Sequence, residues 1–458
     1  MARNCHHCNE FSRAAFVRKS AAEAGRGLPA VEPGMPLPAG TGLDRRTFVT
    51  RTFGLALSVY GLGKLGLFEE GIASAASAPA QPVLVSVFLP GGTDALSVLY
   101  PALDSTYRKL RPTLALDESA GPVFTEDTRL HWHPSLQPLA TLHGEGKVTV
   151  LPAVGYTHPD QSHFTSRHFW EVGATDVRLT SGWMGRYLDH VGNKDNPLQG
   201  LSLDYQLQPS LASLRVPVAS LAAPDEYTFW APGVWGQVEE RMLEALGTLG
   251  TQRSDPFLNQ AARATAQSDR LRRQLAPFAA NSDNGFGSPV PYPQDDSGFP
   301  RQLAGLAAML ASKLPLRCVA ITAPGEYDTH ADQPRALADG LDITARTLLA
   351  FQRDLEARGL ADRVLTLVWS EFGRRAEENG SDGTDHGAAG TGFVIGTRAR
   401  GQMVGEFPGV ENLDEDGNLR ATSDFRGLYC SLLEQWLGED AAAVIPGARS
   451  FQRPLLVR

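Results

Sequence analysis

The sequence has few cysteines and fewer basic than acidic side chains. It also has no long apolar run beyond its first 78 residues. Only four of its 458 residues are Cys, and two of them, Cys5 and Cys8, lie near the N-terminus, so a disulfide framework is not expected. Lys and Arg number 42 against 51 Asp and Glu, and this balance argues against nucleic acid as a partner, because such binding requires a basic surface. Since no apolar stretch after residue 78 reaches about 18 residues, no membrane span is predicted there.

Residues 1–78 show the order of features found in a twin-arginine export signal. Arg45 and Arg46 are followed by a weakly apolar stretch over residues 53–68, and then by small residues that end at Ala78. Signal peptidase cleaves after small residues, so cleavage is expected near this alanine. We therefore predict a signal peptide with an extended N-region, recognition by the twin-arginine translocase, and export across the cytoplasmic membrane to the periplasm or the exterior. The alternative interpretation is a buried helix preceded by a chance arginine pair.

The leader also contains the segment Cys5-His6-His7-Cys8. Cys and His are zinc ligands, but a single cysteine pair without a second pair nearby is a weak zinc signal. The segment precedes the expected cleavage, so it is not expected in the exported protein.

Short apolar runs after residue 78 predict buried strands. Each run is continuous rather than alternating, which is typical of strands buried on both faces of a parallel sheet, and turn residues end the first of them. The predicted strands span residues 83–89, 148–154, 318–322, 364–369 and 393–395.

Helical periodicity separates two of these strands. Apolar residues recur at helical spacing from about 334 to 358, and Gly359 supplies a stop. A strand, a helix and a strand in this order form a βαβ unit, so we predict an α/β fold with a doubly wound, mostly parallel sheet. Residues 235–276 are predicted to form one or two helices, and residues 277–300, rich in Pro, Gly, Ser, Asn and Asp, a long loop or lid connection.

Polar residues lie close to the ends of the predicted strands, where α/β proteins place functional groups. In chain order they are Asp94, Ser162, His163, Asp328, His330, Glu371, Arg374, Asp385 and His386. Asp, Glu and His bind divalent cations, and groups that meet at one sheet edge can form a metal site. Each residue alone also has a structural interpretation: Asp94 could cap a turn, and His163 could be a hydrogen-bonded core histidine. Glu371 and Arg374 could form an ion pair, but the repetition at strand ends favours a site.

The composition and order of these motifs resemble a bacterial family, the domain-of-unknown-function family 1501. The resemblance runs from about Val83 to Leu437. It is carried by Leu89-Pro90-Gly91-Gly92-Thr93-Asp94, Ser162-His163-Phe164, Asp328-Thr329-His330, Ser370-Glu371-Phe372-Gly373-Arg374-Arg375 and Gly383-Thr384-Asp385-His386-Gly387. That family typically carries a twin-arginine leader and is similar to the alkaline phosphatase and sulfatase superfamily. The resemblance implies one alkaline-phosphatase-like domain over residues 79–458, with a loop or lid insertion over about 205–300.

The resemblance also implies roles for individual residues. Ser162 would be the nucleophile at the start of a helix, with His163 beside it, and Arg374 would bind the anionic group of the substrate. The implied metal ligands are Asp94, Asp328, His330, Glu371, Asp385 and His386. A carboxylate-rich set of this kind is compatible with zinc, manganese, magnesium or calcium.

Two departures from the superfamily pattern bear on activity. Residues 162–167 lack the Pro and Arg spacing of the formylglycine signature, so a formylglycine-dependent sulfatase is disfavoured. Ser370-Glu371 stands where an Asp-His ligand pair is expected, which removes one ligand from a two-metal site. The sequence thus predicts an exported metal-dependent hydrolase of phosphate or sulfate esters, acting on a small anionic ester. An exported binding or assembly protein that retains the fold without turnover is the alternative.

Overall fold

A computed structural model of the chain describes residues 81–227, 256–279 and 282–458, together with a few residues between 237 and 245. The predicted signal peptide, with its arginine pair and its Cys and His residues, lies outside the described residues. None of the helices in the described ranges has the length and apolar character that crossing a membrane requires.

Twelve strands and nine α-helices are found in the described part of the chain, and eight of the strands form one central sheet. The strands are β1 (Val83–Phe88), β2 (Leu99–Tyr100), β3 (His131–Trp132), β4 (Val148–Gly155), β5 (Gly200–Ser202), β6 (Ala219–Ser220), β7 (Cys318–Thr322), β8 (Val364–Trp369), β9 (Arg374–Glu378), β10 (Thr384–His386), β11 (Gly390–Ile395) and β12 (Ser423–Asp424). The helices are α1 (Ala95–Val98), α2 (Ser105–Leu110), α3 (Gln137–Gly144), α4 (His163–Val172), α5 (Trp183–Val191), α6 (Pro256–Ala279), α7 (Phe299–Ala311), α8 (Gln333–Ala357) and α9 (Phe425–Leu432).

The central sheet has the strand order β12-β4-β11-β8-β1-β7-β5-β6, and it is parallel except at one strand. β1 lies between β7 and β8 and runs parallel to both, and β5 and β6 continue the parallel block beyond β7. β11 runs antiparallel to both of its neighbours, β8 and β4, so β4 points the same way as β1. The carboxyl ends of β1, β4, β7 and β8 therefore lie at one edge of the sheet, and the amino end of β11 lies there too.

Helices cover both faces of the sheet, which explains why its central strands are apolar at successive positions. Val83, Val85 and Val87 of β1 belong to a core that includes residues of α3, α6, α7 and α8. Leu84 and Phe88 belong to a second core that includes residues of α4, α5 and α9. Successive side chains of a strand point to opposite faces, so burial of both sets requires helices on each side. The predicted α/β class with a doubly wound, mostly parallel sheet is confirmed.

The predicted strands and the long helix agree closely with the observed elements. The four predicted parallel strands match β1, β4, β7 and β8 to within one residue at each end. The fifth, over 393–395, is the second half of β11, which begins at Gly390 and is antiparallel. The helix predicted over 334–358 is α8, and Gly359 follows it with a φ of 70°, which glycine adopts without a steric penalty.

The region from 277 to 300 contains more regular structure than its composition predicts. α6 continues through Pro277, because Leu275 and Phe278 on either side of this proline are buried in the core. The apolar helix α7 then begins before the expected loop ends. Within the insertion expected over about 205–300, β6 pairs with β5, so the start of that region extends the central sheet.

Candidate metal centre

The loop after β1 presents two backbone donors at the carboxyl edge of the sheet. Gly91 and Gly92 have φ values of 120° and 79°, a conformation that favours glycine. A Cβ on Gly91 would overlap the backbone of Asp328, and one on Gly92 would overlap the ring of Phe372. This close approach directs the two amide N–H groups at the carboxylate of Glu371, with distances of 2.9 and 3.1 Å.

Glu371 is buried directly after β8, and its carboxylate accepts from several neighbours. Besides the glycine amides, the Ser370 hydroxyl donates to it at 3.0 Å and Nδ1 of His163 donates at 2.8 Å. Burial alone raises the pKa of Glu371, but the hydrogen bond with His163 and the other donors outweigh burial, and the pKa lies below its ordinary value. Glu371, expected as a metal ligand, therefore orients His163 instead, because both of its oxygens are engaged by protein donors.

His163 is the first residue of α4 and extends over the strand ends. Since its Nδ1 donates to Glu371, its Nε2 is the atom left to bind a metal ion. That Nε2 lies 3.4 Å from Oδ2 of Asp328. Burial lowers the pKa of His163, but hydrogen bonds with Asp328 and Glu371 outweigh it and raise the pKa to about 9.

Asp328 follows β7, and two further histidines converge on its carboxylate. Its Oδ1 lies 3.2 Å from Nε2 of His386 and 3.1 Å from Nε2 of His330. Nδ1 of His386 is 2.8 Å from the carbonyl oxygen of Gln161, and Nδ1 of His330 is 3.2 Å from a carboxylate oxygen of Asp385. Each histidine of the cluster thus has Nδ1 beside an oxygen acceptor and Nε2 beside Asp328.

The charges around Asp328 favour the cation-binding forms of Asp328 and His386, whereas His163, with its raised pKa, has to lose a proton before it binds a metal. Burial raises the pKa of this carboxyl, but hydrogen bonds with His163, His330 and His386 outweigh it and hold the pKa well below its ordinary value. Burial lowers the pKa of His386, and the nearby charges of Arg374 and His163 act in the same direction. An ionised aspartate and a neutral histidine are the states in which these side chains bind metals.

Three of these side chains are close enough to hold one metal ion. Ligand atoms of His163, Asp328 and His386 all lie within 4.8 Å of one another. A tetrahedral zinc ion holds N and O ligands at about 2.0–2.2 Å, which requires ligand atoms roughly 3.3–3.6 Å apart. Nε2 of His163 lies 3.4 Å from Oδ2 of Asp328, and Nε2 of His386 lies 3.2 Å from Oδ1. Each separation, measured to a different carboxylate oxygen, is close to this requirement. The three residues therefore fit a site for a single cation, and His330 lies beside it as a candidate fourth ligand.

Asp94 lies outside this cluster, although it was expected among the metal ligands. Its carboxylate caps α1 and forms an ion pair with Arg111 in which both side chains are fully buried. Ser97 and Gln333 also donate to the same carboxylate. Arg111 neutralises the charge of Asp94, so this aspartate has the structural role that its position in the sequence also allowed.

Arg374 is fully buried at the start of β9, and this position differs from the substrate-binding role expected for it. Its guanidinium donates to the carbonyl oxygens of Gly91, Gly92 and Thr384. It also forms an ion pair with Oδ1 of Asp328. Because protein acceptors surround the guanidinium and none of it is exposed, Arg374 fixes Asp328 and the glycine loop and is not placed to contact a substrate.

Ser162 and Asp385 lie at the margin of the cluster. Ser162 is the N-cap of α4, but its hydroxyl makes no capping hydrogen bond, and it directly precedes His163 in the chain. Its role as a nucleophile stays a prediction. Asp385 is 54% exposed and lies next to His330, on the solvent side of the cluster.

Other residues near the cluster have no counterpart in the sequence-based prediction. Gln161 contributes through its backbone oxygen, which any residue carries, so no sequence signal marks it. Arg167 and Glu171 lie one and two turns after His163 on α4, and they form an ion pair. Their four-residue spacing places all three side chains on one side of the helix, and this spacing could have been found in the sequence.

A family model described as protein of unknown function, DUF1501, matches residues 171–422, which is more than half of the chain. The chain belongs to the DUF1501 family. The family predicted from the motifs is thereby confirmed, and the matched segment of this DUF1501 protein includes Asp328, Glu371 and His386. No curated protein matches the DUF1501 chain in sequence.

Solved structures similar to this DUF1501 protein share little sequence with it. One is a protein in the alkaline phosphatase superfamily from Vibrio parahaemolyticus, with 9% identity, coverage of 88% of this chain and 78% of that chain, and a TM-score of 0.32. Another is the C-terminal periplasmic domain of EcEptC from Escherichia coli in complex with Zn, with 10% identity, coverage of 80% and 87%, and a TM-score of 0.32. A third is a phosphonate monoester hydrolase from Silicibacter pomeroyi, with 12% identity, coverage of 81% and 75%, and a TM-score of 0.31.

Proposed function

We propose that this protein is a metal-dependent hydrolase of phosphate or sulfate esters, in which His163, Asp328 and His386 hold the metal ion. The observation that carries the proposal is the direction of the histidine rings. Each Nδ1 lies beside an oxygen acceptor, and each Nε2 lies beside the Asp328 carboxylate. Such an outer layer of acceptors fixes the tautomer and orientation of metal-binding histidines.

The donor set favours particular metals. Two imidazole nitrogens and one carboxylate suit zinc or manganese better than magnesium or calcium, which prefer oxygen ligands. A bound divalent ion would supply a Lewis acid that stabilises negative charge on the transferred group and favours ionisation of the nucleophile. Among the protein groups, Glu371 holds His163 in place and Arg374 holds Asp328 in place.

Ser162 is the proposed nucleophile because it adjoins His163 and its hydroxyl does not cap the helix. In the proposed reaction this hydroxyl loses its proton to solvent, and its oxygen bonds to the phosphorus or sulfur atom. The bond from that atom to the ester oxygen breaks, and the departing alkoxide takes a proton from solvent to leave as the alcohol. Water then releases phosphate or sulfate from the serine.

A specific observation favours a second candidate, a binding or assembly protein without turnover. Two of the six expected ligands have other partners: Asp94 pairs with Arg111, and Glu371 accepts from the glycine amides. The carboxylates expected to complete a two-metal site are therefore engaged elsewhere in the described structure. A single-cation site of this kind could serve binding alone.

Metal content and ester hydrolysis test the proposal together. The purified parent and Ser162→Ala should retain a divalent metal, whereas Asp328→Asn should lose it, because the substitution removes the negative charge on which the histidines converge. Both variants should lose hydrolysis of aryl phosphate and aryl sulfate esters. Asp342→Asn, an exposed carboxylate paired with Arg346, is the matched control and should retain both properties.

The outcomes separate the two candidates. A parent that retains no metal would contradict the metal-dependent hydrolase. A parent that retains metal but hydrolyses neither ester would favour the binding protein. An active Ser162→Ala variant would remove this serine from the mechanism.

We also propose that the protein is exported by the twin-arginine route, which the order of features in residues 1–78 supports. Replacing both Arg45 and Arg46 by Lys should retain the precursor in the cytoplasm, and the exported parent should begin near Pro79. N-terminal sequencing and cell fractionation measure these results. Normal export of the double variant would contradict the proposal.

A further inference from the structure

In hydrolases of anionic esters, a protein cation beside a metal ion can bind further oxygens of the substrate anion, and Arg374 is buried against protein acceptors. Arg167 is a cation on α4 whose side chain is 35% exposed. It follows His163 by four residues, so the two side chains lie on the same side of the helix. Helical side chains also lean toward the N-terminus of their helix, which directs Arg167 toward the turn that carries His163.

The contacts of Arg167 place its guanidinium at the strand ends that carry the metal centre. The guanidinium carbon lies 4.5 Å from the ring centroid of Phe88, the last residue of β1. Its Nη2 donates to the side chain of Gln208 at 3.1 Å, and Gln208 in turn donates to Thr322, the last residue of β7, at 3.0 Å. The loops that follow these two strands hold the glycine pair and Asp328, so the guanidinium and the metal centre share one edge of the sheet.

The surroundings of Arg167 fix its orientation and leave part of it accessible. Its Nε donates at 2.7 Å to Glu171, whose side chain is only 7% exposed. Burial raises the pKa of Glu171 despite the nearby charge of Arg167. Nε and Nη2 have these protein acceptors, while Nη1 donates to no residue in the described ranges. Gln208 also donates to the carboxylate of Asp204 at 2.9 Å.

We propose that Arg167 binds the tetrahedral oxyanion of the substrate, a phosphate or sulfate group, beside the metal centre. A planar guanidinium held over an aromatic ring is suited to hydrogen bonding with the oxygens of such an anion. The inference rests on the proposed hydrolase function, and it assigns anion recognition to Arg167 in place of Arg374. If the ion pair with Glu171 is purely structural, Arg167 contributes to stability but not to anion binding.

Titration calorimetry with inorganic phosphate and with inorganic sulfate tests this inference on the full chain as purified, alongside its metal content and thermal midpoint. Arg167→Gln keeps a polar side chain but removes the charge, and it should weaken binding of the preferred anion by roughly 10-fold to 100-fold. Arg167→Lys should recover part of the affinity, while metal content stays unchanged in both variants. Arg346→Gln, which breaks another arginine–carboxylate pair of four-residue spacing on α8, is the matched control and should bind anions like the parent.

Each outcome bears on either the inference or the proposed function. The inference is overturned if Arg167→Gln binds both anions as tightly as the parent, if the parent binds neither, or if Arg346→Gln loses affinity equally. A parent without metal whose anion binding still depends on Arg167 would support the anion site and contradict the metal-dependent hydrolase. If the parent contains metal and hydrolyses esters but Arg167→Gln binds anions like the parent, the proposed function is supported and the anion site at Arg167 is contradicted. The tighter of the two anions indicates the class of ester.

Discussion

Two aspartates near the carboxyl edge of the sheet have different surroundings. Asp94 and its partner Arg111 are both fully buried, and Ser97 and Gln333 complete the hydrogen bonds of the carboxylate. Asp328 is 26% exposed, and it contacts histidine nitrogens as well as the buried guanidinium of Arg374. Both residues occupy loops that follow parallel strands, so sequence position does not distinguish them. The neighbours distinguish them. Each carboxylate pairs with a buried arginine, but hydroxyl and amide donors complete the surroundings of Asp94, whereas Asp328 also faces oriented histidines that can share a cation with it.

The largest effect that would sharpen this comparison is expected from Asp94→Asn. The substitution leaves the charge of Arg111 buried without its counter-charge, which should lower the free energy of unfolding by about 3–5 kcal/mol. Urea denaturation measures this loss, and the folded variant should retain its metal. Asp342→Asn breaks an exposed pair and should cost less than about 1 kcal/mol. A loss of metal from folded Asp94→Asn would show that Asp94 helps to hold the metal ion, which contradicts its assignment to the fold alone.

The same variant should alter the acid sensitivity of the protein. Burial raises the pKa of Asp94, but Arg111 and the other donors outweigh it, and the pKa lies below its ordinary value. A carboxyl whose pKa is lowered by folding stabilises the protein above its unfolded pKa of about 3.9, and that contribution is lost as the pH falls through the lower folded value. Below about pH 4, unfolding free energy should therefore depend less steeply on pH in Asp94→Asn than in the parent.

An intermediate effect is expected from Glu371→Gln. The glutamine retains the size of the side chain but removes the charge that orients Nδ1 of His163, so metal affinity should fall by about 10-fold to 100-fold. Competition with a chelator measures the affinity, and Glu356→Gln, at a partly exposed ion pair with Lys147, is the control. Unchanged affinity in Glu371→Gln would mean that the outer layer does not tune the metal site.

The smallest effect is expected from Asp385→Asn. This side chain is 54% exposed, and asparagine retains an oxygen that can accept from His330. Stability should change by less than about 0.5 kcal/mol, and metal affinity by no more than roughly 2-fold. The same chelator competition decides the point: a loss as large as that of Glu371→Gln would make His330 a full ligand rather than a neighbouring donor.

The sequence by itself determined the main strands, the long helix, the fold class and the family. These features are local: a strand buried on both faces must be apolar at successive positions, and the stop of α8 needs a residue tolerant of a positive φ, as Gly359 is. The sequence also showed that polar clusters lie beside strand ends. It did not show which members of these clusters share a site, because sharing a site depends on side-chain partners distant in the chain.

The tertiary structure decided those partners. Glu371 accepts from Gly91, 280 residues away, and this contact rather than residue type directs it to His163 and away from a metal ion. The antiparallel direction of β11 brings His386 to the same edge as Asp328, although His386 precedes its strand while the other clusters follow theirs. A carboxylate, an imidazole or a guanidinium is defined by the sequence, but the charge and hydrogen-bonding groups that face it are set only when the sheet assembles.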